Sequence, residues 1–279
     1  MRGPLLLVAA LGLFAALDAN SKLLAGHYHV SAVLALRYAV LLGLLLAVRL
    51  ARPGPVAELR SRRPILQLAR AACMVGSGTG FFLALRTLPL AEGYLVYFTA
   101  PFLLLALFRV LLREPVPRAA WLWCGVGFGG VLIALWPGLS GGGSWGAYAW
   151  AMLGTLSHAF VLVLNRALRD EPGMARLILW SSAPALLVLA PWAATEWVHP
   201  IGWDWLALAA NGVLAGAATI ALATAFRHAS AGQLAPLEFT ALAWAVLADV
   251  AVWGTWPAAP TWVGAAVVVF AGAMAQRRA

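Results

Sequence analysis

Ten long apolar runs follow one another along this chain with only short polar breaks between them, a pattern that leaves few folds open. Marked against their breakers, the runs lie near 4–24, 28–48, 64–86, 91–112, 118–137, 145–166, 176–196, 204–226, 233–254 and 261–276. Each approaches the ~20 apolar residues that carry a helix across a bilayer. The chain is 63% hydrophobic and only 10% charged, with a mean hydropathy of +0.87. A soluble fold cannot hide that much apolar surface from water. In lipid, every backbone polar group needs an internal partner, which restricts spanning elements to helices and closed barrels. The runs are continuous rather than alternating and far longer than a barrel strand, so the expected class is an all-α, polytopic membrane protein of ten transmembrane helices.

Met1-Arg2 followed by the apolar run from Leu5 to Leu17 resembles a signal peptide. Asp18, Asn20 and Lys22 continue the run without a persuasive small-residue cleavage site, so it is read as a retained first span. The net charge of +9 does not describe a nucleic-acid surface, because the basic residues punctuate span ends instead of forming a basic face. With the N-terminus inside, Arg2, Arg49, Arg52, Arg60, Arg62, Arg63, Arg113, Arg118, Arg166, Arg169, Arg176, Arg227, Arg277 and Arg278 all fall on the cytoplasmic side. Only Arg86 falls at an outer end, and this bias places both termini in the cytoplasm of a cell (inner/plasma) membrane. Trp136, Trp145, Trp197, Trp203, Trp253 and Trp256 cluster at the opposite ends, as an interfacial aromatic belt does.

The chain also repeats itself faintly. Ala84, Arg86, Phe98, Thr99, Ala100, Trp121 and Val126 return as Ala225, Arg227, Phe239, Thr240, Ala241, Trp262 and Val267, at a constant offset of 141 positions. Five spans separate the copies, and an odd number of crossings reverses orientation. The expected architecture is therefore two inverted five-helix repeats, residues 1–140 and 145–279, around a central cavity. The flexible turn at 137–144 separates them.

Polar side chains within spans are costly and normally face a bundle interior or a wet cavity. Asp18 and Lys22 are one turn apart in the first span, a spacing that permits an ion pair. Arg37 lies about three turns into the second span, beyond headgroup reach, and needs an acceptor: either Asp18 or a bound substrate anion. Arg70, two turns from a span end, reads as a snorkelling residue. Glu92, Tyr94, Tyr97 and Thr99 form a polar stripe on the fourth span, and the 141 offset matches Gln233, Glu238 and Thr240 to Glu92, Tyr97 and Thr99. Trp244, one turn beyond Thr240, is either a packed core residue or a wall on which a planar ligand stacks. His158, midway along the sixth span, is either a hydrogen-bonded packing residue or a site of proton exchange. The candidate substrate-binding residues are thus Arg37, Tyr97, Thr99, His158, Thr240 and Trp244. Asp18, Glu92 and Glu238 are candidates for proton coupling or gating, with helix capping as the alternative for the two glutamates. Cys73 and Cys124 lack metal-type spacing, and His27-x-His29 has no supporting carboxylate, so no metal is expected. Gly76-Ser-Gly-Thr-Gly80 lacks the ending of a phosphate loop and reads as a close helix contact or a flexible point.

On these residues the chain resembles the drug/metabolite transporter superfamily, and within it the ten-span proteins with two EamA-type repeats. Lys22 ends the first span; Leu36-Arg37-Tyr38, Ala84-Leu85-Arg86, Ala100-Pro101-Phe102, Arg113-Glu114 and Gly125–Val131 follow. In the second half, Arg166 stands at the position matching Lys22, and Ala225-Phe226-Arg227 echoes the end of the third span. Leu242 and Thr255 depart from the pattern, standing where Pro101 and Glu114 have their counterparts. The resemblance implies a basket of helices whose cavity is lined by spans 1, 3, 4, 6, 8 and 9, with 5 and 10 left to packing or dimer contacts.

The resulting expectation is a secondary active transporter of a small organic metabolite, working by alternating access, with export favoured over uptake by the resemblance. Arg37 points to an amino-acid-like or carboxylate-bearing solute. No nucleotide motif exists to power transport, so a proton or ion gradient, or exchange, would drive it. Membrane lipids are the other expected partner, with no cofactor and no nucleic acid, in a monomer or homodimer. The rival class, a membrane-embedded enzyme acting on a lipophilic substrate, would need a convergent catalytic cluster that the scattered Asp18, Asp249 and His158 do not suggest.

Overall fold

The computed structural model describes residues 2–51, 55, 59–85, 96–136, 145–171, 173–254, 256 and 259–277, and within these the chain is helical with no strand. In chain order the helices are α1 (Arg2–Ala25), α2 (Val30–Ala51), α3 (Pro64–Leu85), α4 (Ala100–Leu107), α5 (Arg118–Leu135), α6 (Trp145–Ala167), α7 (Met174–Thr195), α8 (Asp204–His228), α9 (Ala241–Trp253) and α10 (Ala259–Arg277). Glu92, Tyr94, Arg86 and the expected turn at 137–144 lie outside the described residues.

Six stretches among the described residues are long and apolar enough to cross a membrane: Arg2–Leu24, Val30–Ala51, Trp145–Ala167, Met174–Thr195, Asp204–His228 and Gly232–Val252. That is fewer than the ten runs read from the sequence. Ala100–Leu112, Arg118–Ala134 and Ala259–Ala271 are apolar but shorter, and the first part of the fourth run falls outside the described residues.

Two helices are broken, and the breaks stand at positions related by the 141 offset. Residues 98 and 99 form a turn before α4, whose second residue is Pro101. In the second half a short turn, Ala231–Leu234, passes into a tighter 3-10 turn, Ala235–Thr240, before α9 begins. Pro236 sits at the start of that tighter turn, where its missing N–H costs nothing. Leu242 thus replaces a proline, and Pro236 six residues earlier supplies the irregularity instead. Each break is closed by a threonine: Thr99 Oγ1 donates to the Val96 carbonyl at 2.7 Å, and Thr240 Oγ1 donates to the Leu237 carbonyl at 2.7 Å. Irregular backbone at this depth is tolerated where protein or a cavity, not lipid, surrounds it.

The helices pack in pairs: α1 along α8, α3 along α6, α2 along α7, and α5 along α10. Exchanging the first five helices for the last five turns the α1·α8 contact into α6·α3 and leaves the other two pairings unchanged. Lipid supplies no hydrophobic drive between helices, so close backbone approach has to hold them. Gly80 and Gly154 provide it between α3 and α6: a Cβ on Gly80 would stand 2.8 Å from the Gly154 nitrogen. Gly130 and Gly264 do the same between α5 and α10, each facing the other's carbonyl. The glycines of 76–80 therefore mark a close contact. Phe98, Phe108, Phe226 and Phe239 are fully buried at the centre, with Phe98 and Phe239, partners under the 141 offset, 5.9 Å apart by ring centroid.

Candidate functional site

A cavity of about 650 Å³ opens between α1, α2, α3, α6, α8 and α9. Its lining runs from Gly26 and Val30, beside the turn that joins α1 to α2, down to Leu11, Leu41 and Leu222. Beyond that level Leu7, Phe108 and Phe226 close the bundle. The resemblance implied spans 1, 3, 4, 6, 8 and 9. The structure adds α2, which presents Val33, Leu34, Arg37, Tyr38 and Leu41, and of the fourth span it brings Tyr97. Among the described residues, none of α5 or α10 lines the cavity.

Charges of both signs face this void. Asp18 lies deep in the bundle yet is exposed, because the cavity reaches it. Among the described residues its carboxylate has neither a hydrogen bond nor an ion pair. Arg37 faces the same space from α2. Its Nε donates to Asn211 Oδ1 at 2.8 Å and a terminal nitrogen to Ser21 Oγ at 3.4 Å, while Asn211 Nδ2 donates to Ser21 Oγ at 2.9 Å. Both acceptors are neutral. The direct Asp18–Arg37 bridge that sequence offered as one acceptor for Arg37 is therefore not formed: a side-chain amide and a hydroxyl orient the guanidinium, and Asp18 acts on it only at a distance. Lys22 also lines the cavity, one turn above Asp18.

Lower on the wall, Tyr97 and His158 stand together, with the tyrosine hydroxyl 3.1 Å from His158 Nε2. The same nitrogen lies 3.6 Å from Glu238 Oε2, longer than a hydrogen bond. Glu238 is 1% exposed, and among the described residues neither carboxylate oxygen has a hydrogen-bond partner. Tyr97 and Glu238 are equivalent under the 141 offset, so the two helix breaks meet at one histidine.

The remaining expected residues are placed differently. Thr99 and Thr240 spend their hydroxyls on the backbone of the breaks and do not line the cavity. Trp244 packs its indole on α1, where a Cβ on Gly12 would meet it at 3.0 Å, and it too is outside the lining. It serves here as a core residue. Sequence reading missed Ser21 and Asn211, which hold Arg37. Their signal was polarity at span depth: Ser21 three residues after Asp18, and Asn211 two turns into α8.

The opposite end of the bundle is held by a different set of polar contacts. Arg166 donates from Nε to Glu114 Oε1 at 2.9 Å and from a terminal nitrogen towards the carbonyls of Phe226, Arg227 and Ala229. Arg70 is not a snorkelling residue. It is 1% exposed and donates to Asn165 Oδ1 and the Leu177 carbonyl, because its side chain turns into the α3·α6·α7 contact instead of towards the surface. Glu171 accepts from Ser61 Oγ, the Arg62 N–H and Gln67 Nε2.

Comparison with known proteins follows this geometry. Residues 145–275 match the EamA-like transporter family. An S-adenosylmethionine uptake transporter of Rickettsia felis is 23% identical over 211 residues, covering 76% of this chain and 71% of the relative. A pseudopaline exporter of Pseudomonas aeruginosa is 27% identical over 275 residues, covering 96% of this chain and 94% of the relative. A solved crystal structure superposes with a TM-score of 0.84 at 21% identity, over 100% of this chain and 99% of that one, a likeness of fold. Together the EamA-like match over residues 145–275 and the apolar helices support a multi-pass membrane protein.

Proposed function

We infer that this chain, whose second half matches the EamA-like transporter family, is a secondary active transporter of small zwitterionic metabolites, amino-acid-like solutes in particular. The observation that carries the reading is one cavity bearing an unpaired carboxylate, Asp18, and a guanidinium, Arg37, whose hydrogen-bond acceptors are both neutral. Each is costly at span depth when left alone. A solute with an ammonium group and a carboxylate offsets both at once, and the guanidinium offers a charge-assisted bond to the carboxylate. Tyr38, Phe14, Phe81 and Phe82 line the same cavity and suit an apolar or planar body. S-adenosylmethionine, an amino-acid derivative, is the cargo named for one relative.

The proposed architecture is ten crossings in two inverted repeats, 1–140 and 145–279. Its support is the helix pairing that survives exchange of the halves, together with the matched breaks at Thr99 and Thr240. With both termini cytoplasmic in the inner/plasma membrane, the cavity faces outward, and the contacts of Arg166, Arg70 and Glu171 form the closed inner gate. One relative is named for uptake and another for export, so direction is assigned to the gradient applied and not to the fold.

Exchange in proteoliposomes tests the reading against both monopolar transport and an enzyme. Labelled zwitterionic amino acids should exchange and be recovered unmodified, while simple amines and simple carboxylates should exchange at least tenfold more slowly. Equal exchange of a monopolar class removes the zwitterion reading, and recovery of a chemically altered solute removes the transporter reading.

A further inference from the structure

The contact among Tyr97, His158 and Glu238 has no obvious use in holding a zwitterion, because Glu238 does not reach the cavity. A carboxyl group at 1% exposure with both oxygens unpartnered is unfavourable as an isolated anion. It is tolerable in two forms: protonated, or ionised beside an imidazolium. His158 is the group that can supply the second form, with Nε2 3.6 Å away. The pair as a whole is neutral when it holds one proton, wherever that proton sits. Gaining or losing a proton would leave a net charge buried, so the pair favours single occupancy while it stays dry.

We propose that His158 and Glu238 form a proton-binding dyad, loaded from the cavity through His158, that couples transport to the proton gradient. The inference rests on the transporter reading and names its coupling ion. His158 and Tyr97 line the cavity and Glu238 does not, which gives the proton a direction of entry. A proton from cavity water adds to His158 and is then available to the Glu238 carboxylate, which the same ring nitrogen faces. No bond other than the two N–H and O–H bonds changes. When the bare Nε2 accepts from the Tyr97 hydroxyl, it holds a fixed orientation towards the acid.

Position explains why occupancy would govern shape. Tyr97 immediately precedes the break before α4, Glu238 belongs to the break before α9, and His158 is on α6 between them. Shortening 3.6 Å to a hydrogen bond would draw the α9 break towards α6. Releasing the proton would remove that attraction and admit water to the acid. The other titratable or charged groups that face the dyad are Asp18, Lys22 and Arg37 across the cavity from α1 and α2, and the Cys124 thiol of α5 beside Glu238. Asp18 and Arg37 offset one another when no solute is bound. A bound zwitterion screens both, so the dyad experiences loading of the cavity.

The test has a protein arm and a flux arm. Infrared difference spectra of the purified protein in lipid, recorded across a pH titration, should contain a protonated-carboxyl band that disappears in Glu238→Gln. In His158→Gln its midpoint should move by at least one pH unit, a tenfold change in proton affinity. In proteoliposomes an imposed pH gradient should drive uphill accumulation in the wild type. Both variants should lose that accumulation at least tenfold. Glu238→Gln, whose side chain does not line the cavity, should keep solute exchange at equal pH within about threefold, and His158→Gln should keep the wild-type melting temperature, which shows that each is folded. Tyr97→Phe should slow accumulation while leaving the infrared midpoint in place. Spectra that neither substitution alters, or full gradient-driven accumulation in both variants, would overturn the dyad. Absence of exchange in the wild type with the infrared behaviour intact would count against the transporter reading and leave the proton site standing.

Discussion

Arg37 and Arg166 are both arginines drawn into the bundle, and the two ends of the molecule treat them in opposite ways. Arg166 meets a carboxylate, Glu114, and three carbonyls at the end of α8. Arg37 meets an amide and a hydroxyl and then an open cavity. A guanidinium offers five donors and cannot give up its charge, so its surroundings reveal its task. Where the protein supplies the counter-charge, as at Arg166, the residue joins helices. Where the protein supplies only neutral direct acceptors that fix orientation, as at Arg37, the direct counter-charge falls, on the proposed reading, to a ligand.

The largest effect that would break this contrast is expected at Arg166. Arg166→Ala leaves Glu114 without its partner and three carbonyls without a donor, and should lower stability by about 3 kcal/mol, read as a fall in melting temperature in detergent. Arg37→Gln should cost far less stability, since its partners are neutral. It should instead weaken binding of carboxylate-bearing solutes by roughly 10- to 100-fold, the size of one lost charge-assisted hydrogen bond, in equilibrium binding or exchange. Asp18→Asn should give a comparable loss for ammonium-bearing solutes. Equal destabilisation by Arg37→Gln and Arg166→Ala would erase the distinction between the two ends.

Glu171 sharpens the same comparison through pH. Burial pushes its carboxyl up, but hydrogen bonds from Ser61, Gln67 and the Arg62 N–H, with the nearby Arg176 charge, outweigh burial and hold it below the usual glutamate value. A depressed folded value contributes stability that is fully present above the unfolded value, about 4.3, and is lost as pH falls through the folded one. The melting-temperature gap between wild type and Glu171→Gln should therefore be widest above about pH 5 and should narrow on acidification. A gap that widens in acid would mean the closed end is not held by an ionised Glu171.

How much of this was legible in the chain differs between backbone and side chains. The helix positions follow the apolar runs closely: 145–166 was read and Trp145–Ala167 is observed, and 204–226 became Asp204–His228. A run of that length in lipid has one way to satisfy its amides, so pattern fixes the element. The site was legible only as a set of polar side chains at depth. Arg37, Asp18, Tyr97 and His158 do reach one cavity, because such groups are excluded from lipid and have no other space. Their partners were not legible. Asn211 and Ser21, distant in sequence from Arg37, outcompete Asp18 for it through a rotational setting of α1 and α8 that composition does not encode. Thr99 and Thr240 looked like ligands, yet each satisfies a carbonyl freed by a helix break, and a hydroxyl at span depth finds its own backbone first.

Those two threonines support the smallest expected effect, and the one that bears most directly on the repeat. Each donates at 2.7 Å to the carbonyl three residues earlier, at positions related by the 141 offset. Thr240 is 8% exposed, and water cannot readily replace its hydroxyl. Replacing either residue with valine keeps the shape and removes the donor, at a cost of about 1 kcal/mol. If the two breaks are counterparts, Thr99→Val and Thr240→Val should lower the melting temperature by similar amounts. The effects should combine additively, since each bond is local to its own break. Both variants should also retain solute affinity within about twofold, as neither hydroxyl reaches the cavity. A selective loss of affinity in one of them would mean that its break opens to the cavity during transport while its counterpart does not, and the two halves would then be equivalent in backbone but not in use.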